Sequence, residues 1–450
     1  MLKSRFCPLL IAACVFAATA QTSAARRLCV NKDGSHGCYS SIQTAVGHAS
    51  ANDVINVGPG TYKEDVTIGV SLTLLGTEAG STIIDATGLA NGIFVDGLDY
   101  PGLDNVTIAG FTVRNALYEG ILVVSASDVT IRDSRVLNND TYPPAFTGVA
   151  TGCPGQPAFE TDETGDCGGA IHLIGTVGAN VSNNVITGNA DGVLISDETA
   201  EAHDNIIVNN IVNNNPLDCG LVLASHPRLG DAGVPSYQPH YGIDHNTLAW
   251  NSVSNNGVQV QGAGVGLFSD GNGAGRVSEN LITHNTLTGN GIGGVSLHSH
   301  VGPTFGAPPD NMDSNQIIDN FIAGNLADTG DTATPGRVGI NINSGGGGSL
   351  VTGTVIVENV IRDEDVDVAI NTPAYVDIHF NDLLGGKIGV ANVCAYDKAA
   401  NCSGVIDASL NYWGCPAGPG GKQGRCSTTY GTVGLTAPWL QNPSSADGHP

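Results

Sequence analysis

From about residue 120 onward, apolar residues fall at every second place in short runs, and each run closes on Gly, Asn or Asp. The same phrase returns as GILVVSASDVTIRDSRVLNND from Gly120, GVLISDETAEAHDNIIVNNIVNNN from Gly192 and GVGLFSDGNGAGRVSENLITHNTLTGNG from Gly264. Alternation of period two predicts strands with one inward and one outward face. A return every roughly 20 to 30 residues predicts a solenoid. The units contain strands and Asn-Gly corners and no helical stretch, so the solenoid is a β-solenoid. One coil cannot bury its own apolar face and must stack on its neighbours, which sets Val, Ile and Leu in inward ladders. The recurrent Asn, as in SNNVITGNA and ITHNTLTGNG, suits side-chain amides stacked at turns.

Composition agrees with this pattern. Of 450 residues 62 are Gly and only 13% are charged, which favours tight corners over helices. The formal charge of −25 disfavours nucleic acid and anionic membranes as partners, and a polyanionic substrate needs a locally bound cation. The opening MLKSRFCPLLIAACVFAATA has Lys3 and Arg5, an apolar run and Ala18-Thr19-Ala20, the pattern of a secretory signal peptide over 1–20. Ile11-Ala12-Ala13-Cys14 also fits a lipobox, the one route to a membrane anchor. Spacing pairs Cys29 with Cys38, Cys153 with Cys167, Cys394 with Cys402 and Cys415 with Cys426, and leaves Cys219 over. No CxxC occurs, so loop-strapping disulfides in an oxidising, secreted or periplasmic setting are expected rather than zinc.

The segment SIQTAVGHASANDVINVGPGTYKEDVTI, Ser41 to Ile68, and the closing NYWGCPAGPGG, Asn411 to Gly421, resemble the ends of the pectin-lyase-like superfamily. The resemblance spans nearly the whole chain after the leader. It implies an all-β, right-handed parallel β-helix with a short N-terminal helical cap, in which Ile42, Ala45 and Val46 cover the open apolar end. The expected divisions are an N-terminal cap and first coil over 21–65, the parallel β-helix over 66–390, and a C-terminal coil with a disulfide-strapped closing segment over 391–450. Pectin-enzyme signatures are missing: neither NTD, GHG and RIK nor QAVAL and DFIFG occur, and Tyr241 to Asn246 is only similar to the WIDH segment of pectate lyases. The resemblance therefore points to fold more strongly than to reaction.

Counting along the first strand of each coil locates a candidate site. The inward pairs are Val193 and Ile195, Leu221 and Leu223, Val265 and Leu267, Val295 and Leu297, and Ile340 and Ile342. Three residues beyond each pair stand Glu198, His226, Asp270, His300 and then Gly345. Strands about 4.7 to 4.9 Å apart make the four ionisable groups a row roughly 14 to 15 Å long. Ser196, Phe268 and His298 fall in the neighbouring outward column, and His172 lies lower on the same face. Long insertions follow the row, so Arg228, Tyr237, His240 and Tyr241 are expected to overhang it with His298 as substrate-binding groups.

A polar row beside long loops suits an extended polysaccharide bound by a monomer, and the resemblance implies the same substrate class. For β-elimination on a uronate glycan, His226 or His300 is the candidate base, and Glu198 with Asp270 the candidate Ca²⁺ ligands. Inverting hydrolysis by Glu198 and Asp270 is the alternative. His226, Asp270 and His300 also offer two imidazoles and a carboxylate to a transition metal. Glycan binding without chemistry is the remaining class, disfavoured by the 5% aromatic content.

Overall fold

The structure is a computed structural model that describes residues 25–140, 169–225, 241–259, 262–269, 275–299, 312–329, 334–344, 351–370, 374–392, 405–422 and 426–444. The described strands form three long parallel sheets of 13, 12 and 11 strands, with a short sheet of 3. Each strand pairs with the equivalent strand of the next coil, so the chain winds as a parallel β-helix. Local sequence explains the winding. Thr247-Leu248-Ala249 and Ser252-Val253-Ser254 are three-residue strands that send their central residue into the core, with Ala249 buried as well. Between and around them His245, Trp250 and Asn255 take left-handed φ of 54, 59 and 56°, and each is followed at once by an inward Asn: Asn246, Asn251 and Asn256. One left-handed residue turns each corner, which costs a non-glycine residue on the order of 1–2 kcal/mol, and the Asn behind it satisfies the backbone there.

These asparagines form three ladders, as the sequence pattern predicts. In each, one Asn donates its backbone N–H and side-chain Nδ2 to the Oδ1 of the next. One runs Asn205, Asn246, Asn280, Asn315. A second runs from Asn184 through Asn210, Asn251, Asn285, Asn320, Asn359 and Asn381 to Asn411. The third runs from Asn139 through Asn189, Asn215, Asn256, Asn290 and Asn325, and ends on the carboxylate of Glu364. The spare Nδ2 proton goes to a strand carbonyl one coil back, as from Asn285 to Leu248 at 2.8 Å. Buried polar groups at the corners are thus paired, which their burial requires.

The core is the stack of inward ladders. In the 12-stranded sheet Ile121, Ile171, Val193, Leu221, Val265, Val295 and Ile340 are in register and almost wholly buried. At the N-terminal end the helix Ile42–Gly47 lays Ile42, Ala45 and Val46 onto this core. Ser41 caps it by accepting from the Thr44 N–H, and the Glu64 carboxylate accepts from the N–H groups of Ile42 and Gln43. The Gln43 amide then pairs with the backbone of Thr67 through both its donor and acceptor, at 3.2 and 2.7 Å. Thr67 lies in the terminal strand Val66–Ile68, so this helix covers the core and also pairs part of an otherwise open sheet edge. At the other end Trp413, fully buried, packs against Gly389.

Two disulfides lie in the described residues, Cys29–Cys38 and Cys415–Cys426, both as spacing predicted. Cys153, Cys167, Cys394 and Cys402 lie outside them. Cys219 is a buried free thiol, its sulfur accepting from the Ala263 N–H at 3.0 Å, and burial pushes its pKa well up. Among the described residues no helix is long and apolar enough to cross a membrane.

Candidate functional site

The outward side of the 12-stranded sheet carries the column next to the expected row. Ser196 pairs in register with Ala224, Ala224 with Phe268 and Phe268 with His298, and Ile195, Leu223, Leu267 and Leu297 form the inward column beside it. The strands Leu221–Ser225, Val265–Ser269 and Val295–Ser299 end in register on serines. His226, Asp270 and His300 follow these serines directly in sequence and lie outside the described residues, as do Arg228, Tyr237 and His240. Of the expected site, Glu198, His298 and Tyr241 are described.

Glu198 leaves the ladder earlier than the counting implies. Its strand ends at Ser196, the partner of Ala224 and one residue short of the serines on the next rungs. Asp197 and Glu198 are both buried and each has a hydroxyl partner: Ser225 Oγ donates to Asp197 Oδ2 at 2.8 Å and Ser196 Oγ to Glu198 Oε2 at 2.5 Å. With its proton committed to Glu198, the Ser196 oxygen accepts from His172 Nε2 at 2.8 Å. His172 Nδ1 lies 3.7 Å from Glu119 Oε1. Glu119, His172, Ser196 and Glu198 are all essentially inaccessible, so a fully buried polar chain crosses three rungs of the outward face. Counting placed His172 on this face and Ser196 in the next column. That Ser196 joins His172 to Glu198 depends on side-chain direction, for which the sequence has no signal.

The serine ends of the next rungs are braced by backbone. Gly275 N–H donates to Ser225 Oγ at 2.6 Å, and Ser269 Oγ donates to the Gly275 carbonyl at 3.1 Å. Gly275 runs so close to the Tyr241 backbone that a Cβ there would sit 1.8 Å from the Tyr241 carbonyl oxygen. Tyr241, half-buried, directly precedes the strand Gly242–Asp244. His298 is 7% exposed and its ring tilts against Phe268 with centroids 5.7 Å apart. The described face therefore combines buried carboxylates, hydroxyls held in place and one aromatic–imidazole pair.

A second cluster lies elsewhere, on the 13-stranded sheet. Asp377, His379 and Asp407 bring one donor atom each to within 4.8 Å of one another, and among the described residues this is the group able to hold a metal ion. Counting along the first strand of each coil did not reach it. The signal was present, because Val376, Ile378 and Ile406 bracket the three as an inward set.

The profile of a family described as a right handed beta helix region matches residues 91–307. No curated protein matches the chain. Among solved structures the chain is similar to the Dettilon tailspike protein, at 14% identity over 90% of this chain and 68% of that one, with a TM-score of 0.55. It is also similar to DFA-IIIase from Arthrobacter chlorophenolicus, at 13% identity over 86% of this chain and 89% of that one, TM-score 0.49. A third similarity is to the A-module of a mannuronan C-5 epimerase from Azotobacter vinelandii, at 15% identity over 88% and 94%, TM-score 0.48. At such identities the likeness is one of fold alone.

Proposed function

Because the chain is a right-handed parallel β-helix of the pectin-lyase-like fold, we propose that it is a secreted enzyme acting on an extended, uronate-containing polysaccharide by β-elimination. The observation that supports this reading is the register of the 12-stranded sheet. It aligns the ends of three successive strands at Ser225, Ser269 and Ser299, immediately before His226, Asp270 and His300. In the reaction His226 or His300 takes the proton next to the substrate carboxylate. The electron pair forms a carbon–carbon double bond as the glycosidic C–O bond breaks, and the leaving oxygen takes a proton. Glu198 and Asp270 would hold a cation, with Ca²⁺ as the first candidate, and it would offset the charge of the substrate carboxylate. Ser196 and His172 act as positioning residues for Glu198. Arg228, Tyr237, His240, Tyr241 and His298 are the proposed substrate contacts.

Inverting hydrolysis is the second reading, favoured by two carboxylates two rungs apart, about 9 to 10 Å between backbones, near the roughly 6.5 to 9.5 Å carboxyl separation that reaction uses. A panel of acidic and neutral polysaccharides separates the two when both the ultraviolet absorbance of unsaturated products and new reducing ends are followed. β-Elimination raises both signals, is lost in chelator and returns with Ca²⁺, whereas hydrolysis raises reducing ends alone. On the substrate so found, His226→Ala or His300→Ala lowers kcat by about 10²- to 10⁴-fold, while His203→Ala, paired with Asp204 on an exposed corner, leaves it unchanged. Equal activity in all three variants overturns the assignment.

A further inference from the structure

The cluster on the 13-stranded sheet is distinct from the proposed polysaccharide site. Asp377 and Asp407 are register partners on the adjacent strands Ala374–His379 and Val405–Asp407. Two carboxylates side by side on one face of a sheet repel each other. Among the described residues Asp377 has His379 as its only ion-pair partner, at 4.0 Å, and Asp407 has none. Asp407 Oδ1 accepts from the Ser409 N–H at 3.0 Å, which fixes its carboxylate beside that of Asp377.

The orientation of His379 beside the two carboxylates suits a metal ligand. Its Nδ1 donates to the Ser409 carbonyl at 2.9 Å, which leaves Nε2 with a free lone pair on the side of the two carboxylates. A histidine that binds metal is commonly held in this way, by a carbonyl on its other nitrogen. His245 and His284, by contrast, spend both nitrogens. His245 lies between Asp244 at 2.6 Å and Glu279 at 2.8 Å, and His284 between Thr283 at 2.7 Å and Asp319 at 2.8 Å. Both of those rings are held as ion-pair or hydrogen-bond partners, with no lone pair left for a metal.

We propose that Asp377, His379 and Asp407 bind one first-row divalent transition-metal ion, with the remaining coordination positions open to solvent. An imidazole with two carboxylates suits Zn²⁺ or its neighbours, whereas Ca²⁺ takes oxygen ligands only. The ligands project from two adjacent strands, so the site is held by the sheet itself, and the ion cancels the repulsion between the two acids. Open positions on the metal leave room for water or for a ligand group.

Calorimetric titration of ZnCl₂ into the chelator-treated, untagged full chain tests the proposal. One equivalent of Zn²⁺ is expected to be lost, or weakened more than about 100-fold, in both His379→Ala and Asp407→Asn, and retained in His245→Ala. Circular dichroism and cooperative melting confirm that the variants are folded. An equal concentration of Ca²⁺ leaves Zn²⁺ binding unchanged. Absence of Zn²⁺ uptake by the unaltered chain, retention of that equivalent in both variants, or its displacement by Ca²⁺ overturns the proposal.

Discussion

Replacing Asn285 by Ala tests whether the Asn ladders hold the helix together. Asn285 is 1% exposed and sits in the middle of the longest ladder. Its Oδ1 accepts from the backbone N–H and the Nδ2 of Asn251, each at 3.0 Å, and its Nδ2 donates to the Leu248 carbonyl at 2.8 Å and to Asn320 Oδ1 at 3.0 Å. Truncation leaves the Asn251 N–H, one Asn251 Nδ2 proton and the Leu248 carbonyl buried without partners, because the Asn320 oxygen still accepts from the Asn285 backbone at 2.9 Å. Three stranded groups at about 1–3 kcal/mol each predict a loss of roughly 3–9 kcal/mol, with the low end reached if water enters the gap. Urea unfolding followed by circular dichroism at a common m-value measures it. The control is Asn213→Ala, on an outward strand position, expected within about 0.5 kcal/mol of the unaltered chain. Asn285→Asp sharpens the test, since a carboxylate oxygen in place of Nδ2 faces two acceptors and must bind a proton to donate. Its folded pKa is then raised, so relative to the parent it loses stability as pH climbs from about 4. If Asn285→Ala unfolds at the same urea concentration as Asn213→Ala, the ladders are decoration on an apolar stack.

Glu364, which ends the third ladder, has a carboxyl that burial pushes up to about 7, against the hydrogen bonds donated by Asn325. A raised carboxyl stabilises the fold fully below its unfolded pKa and loses that contribution as pH rises toward 7. Glu364→Gln therefore flattens the pH dependence of stability between about pH 4.5 and 7 and gains about 2–3 kcal/mol at pH 8. An unchanged slope in the variant refutes this. Gly275→Ala forces a Cβ against the Tyr241 carbonyl and displaces the brace on Ser225 and Ser269. It is expected to cost about 1–3 kcal/mol and to lower turnover on the assigned polysaccharide, and an unaffected melting temperature counts against the brace.

The inward columns were legible in the sequence because stacking demands them. Every coil repeats one cross-section, so residues such as Val193, Leu221, Val265 and Val295 must share a chemistry and a position, and counting recovers their register. The cap was expected from the resemblance of Ser41 to Ile68 to the superfamily's opening segment, and Ile42, Ala45 and Val46 form the apolar face of that short helix. The amide ladders were also anticipated from the recurrent Asn. Their strict order, three strand residues, one left-handed residue and one inward Asn, is present in the text of the sequence but becomes visible only with the φ angles of His245, Trp250 and Asn255.

What tertiary structure alone decided is which polar groups meet. Counting set Glu198 in one row with His226, Asp270 and His300, but its strand stops at Ser196 and its carboxylate turns into a buried chain with Ser196 and His172. Asp377 and Asp407 are 30 residues apart and separated by an insertion, and only pairing of their strands makes them neighbours of His379. The apolar columns are specified by period, which a sequence displays directly. The polar contacts are specified by side-chain direction and by register across insertions of varying length, and neither can be counted along a single chain.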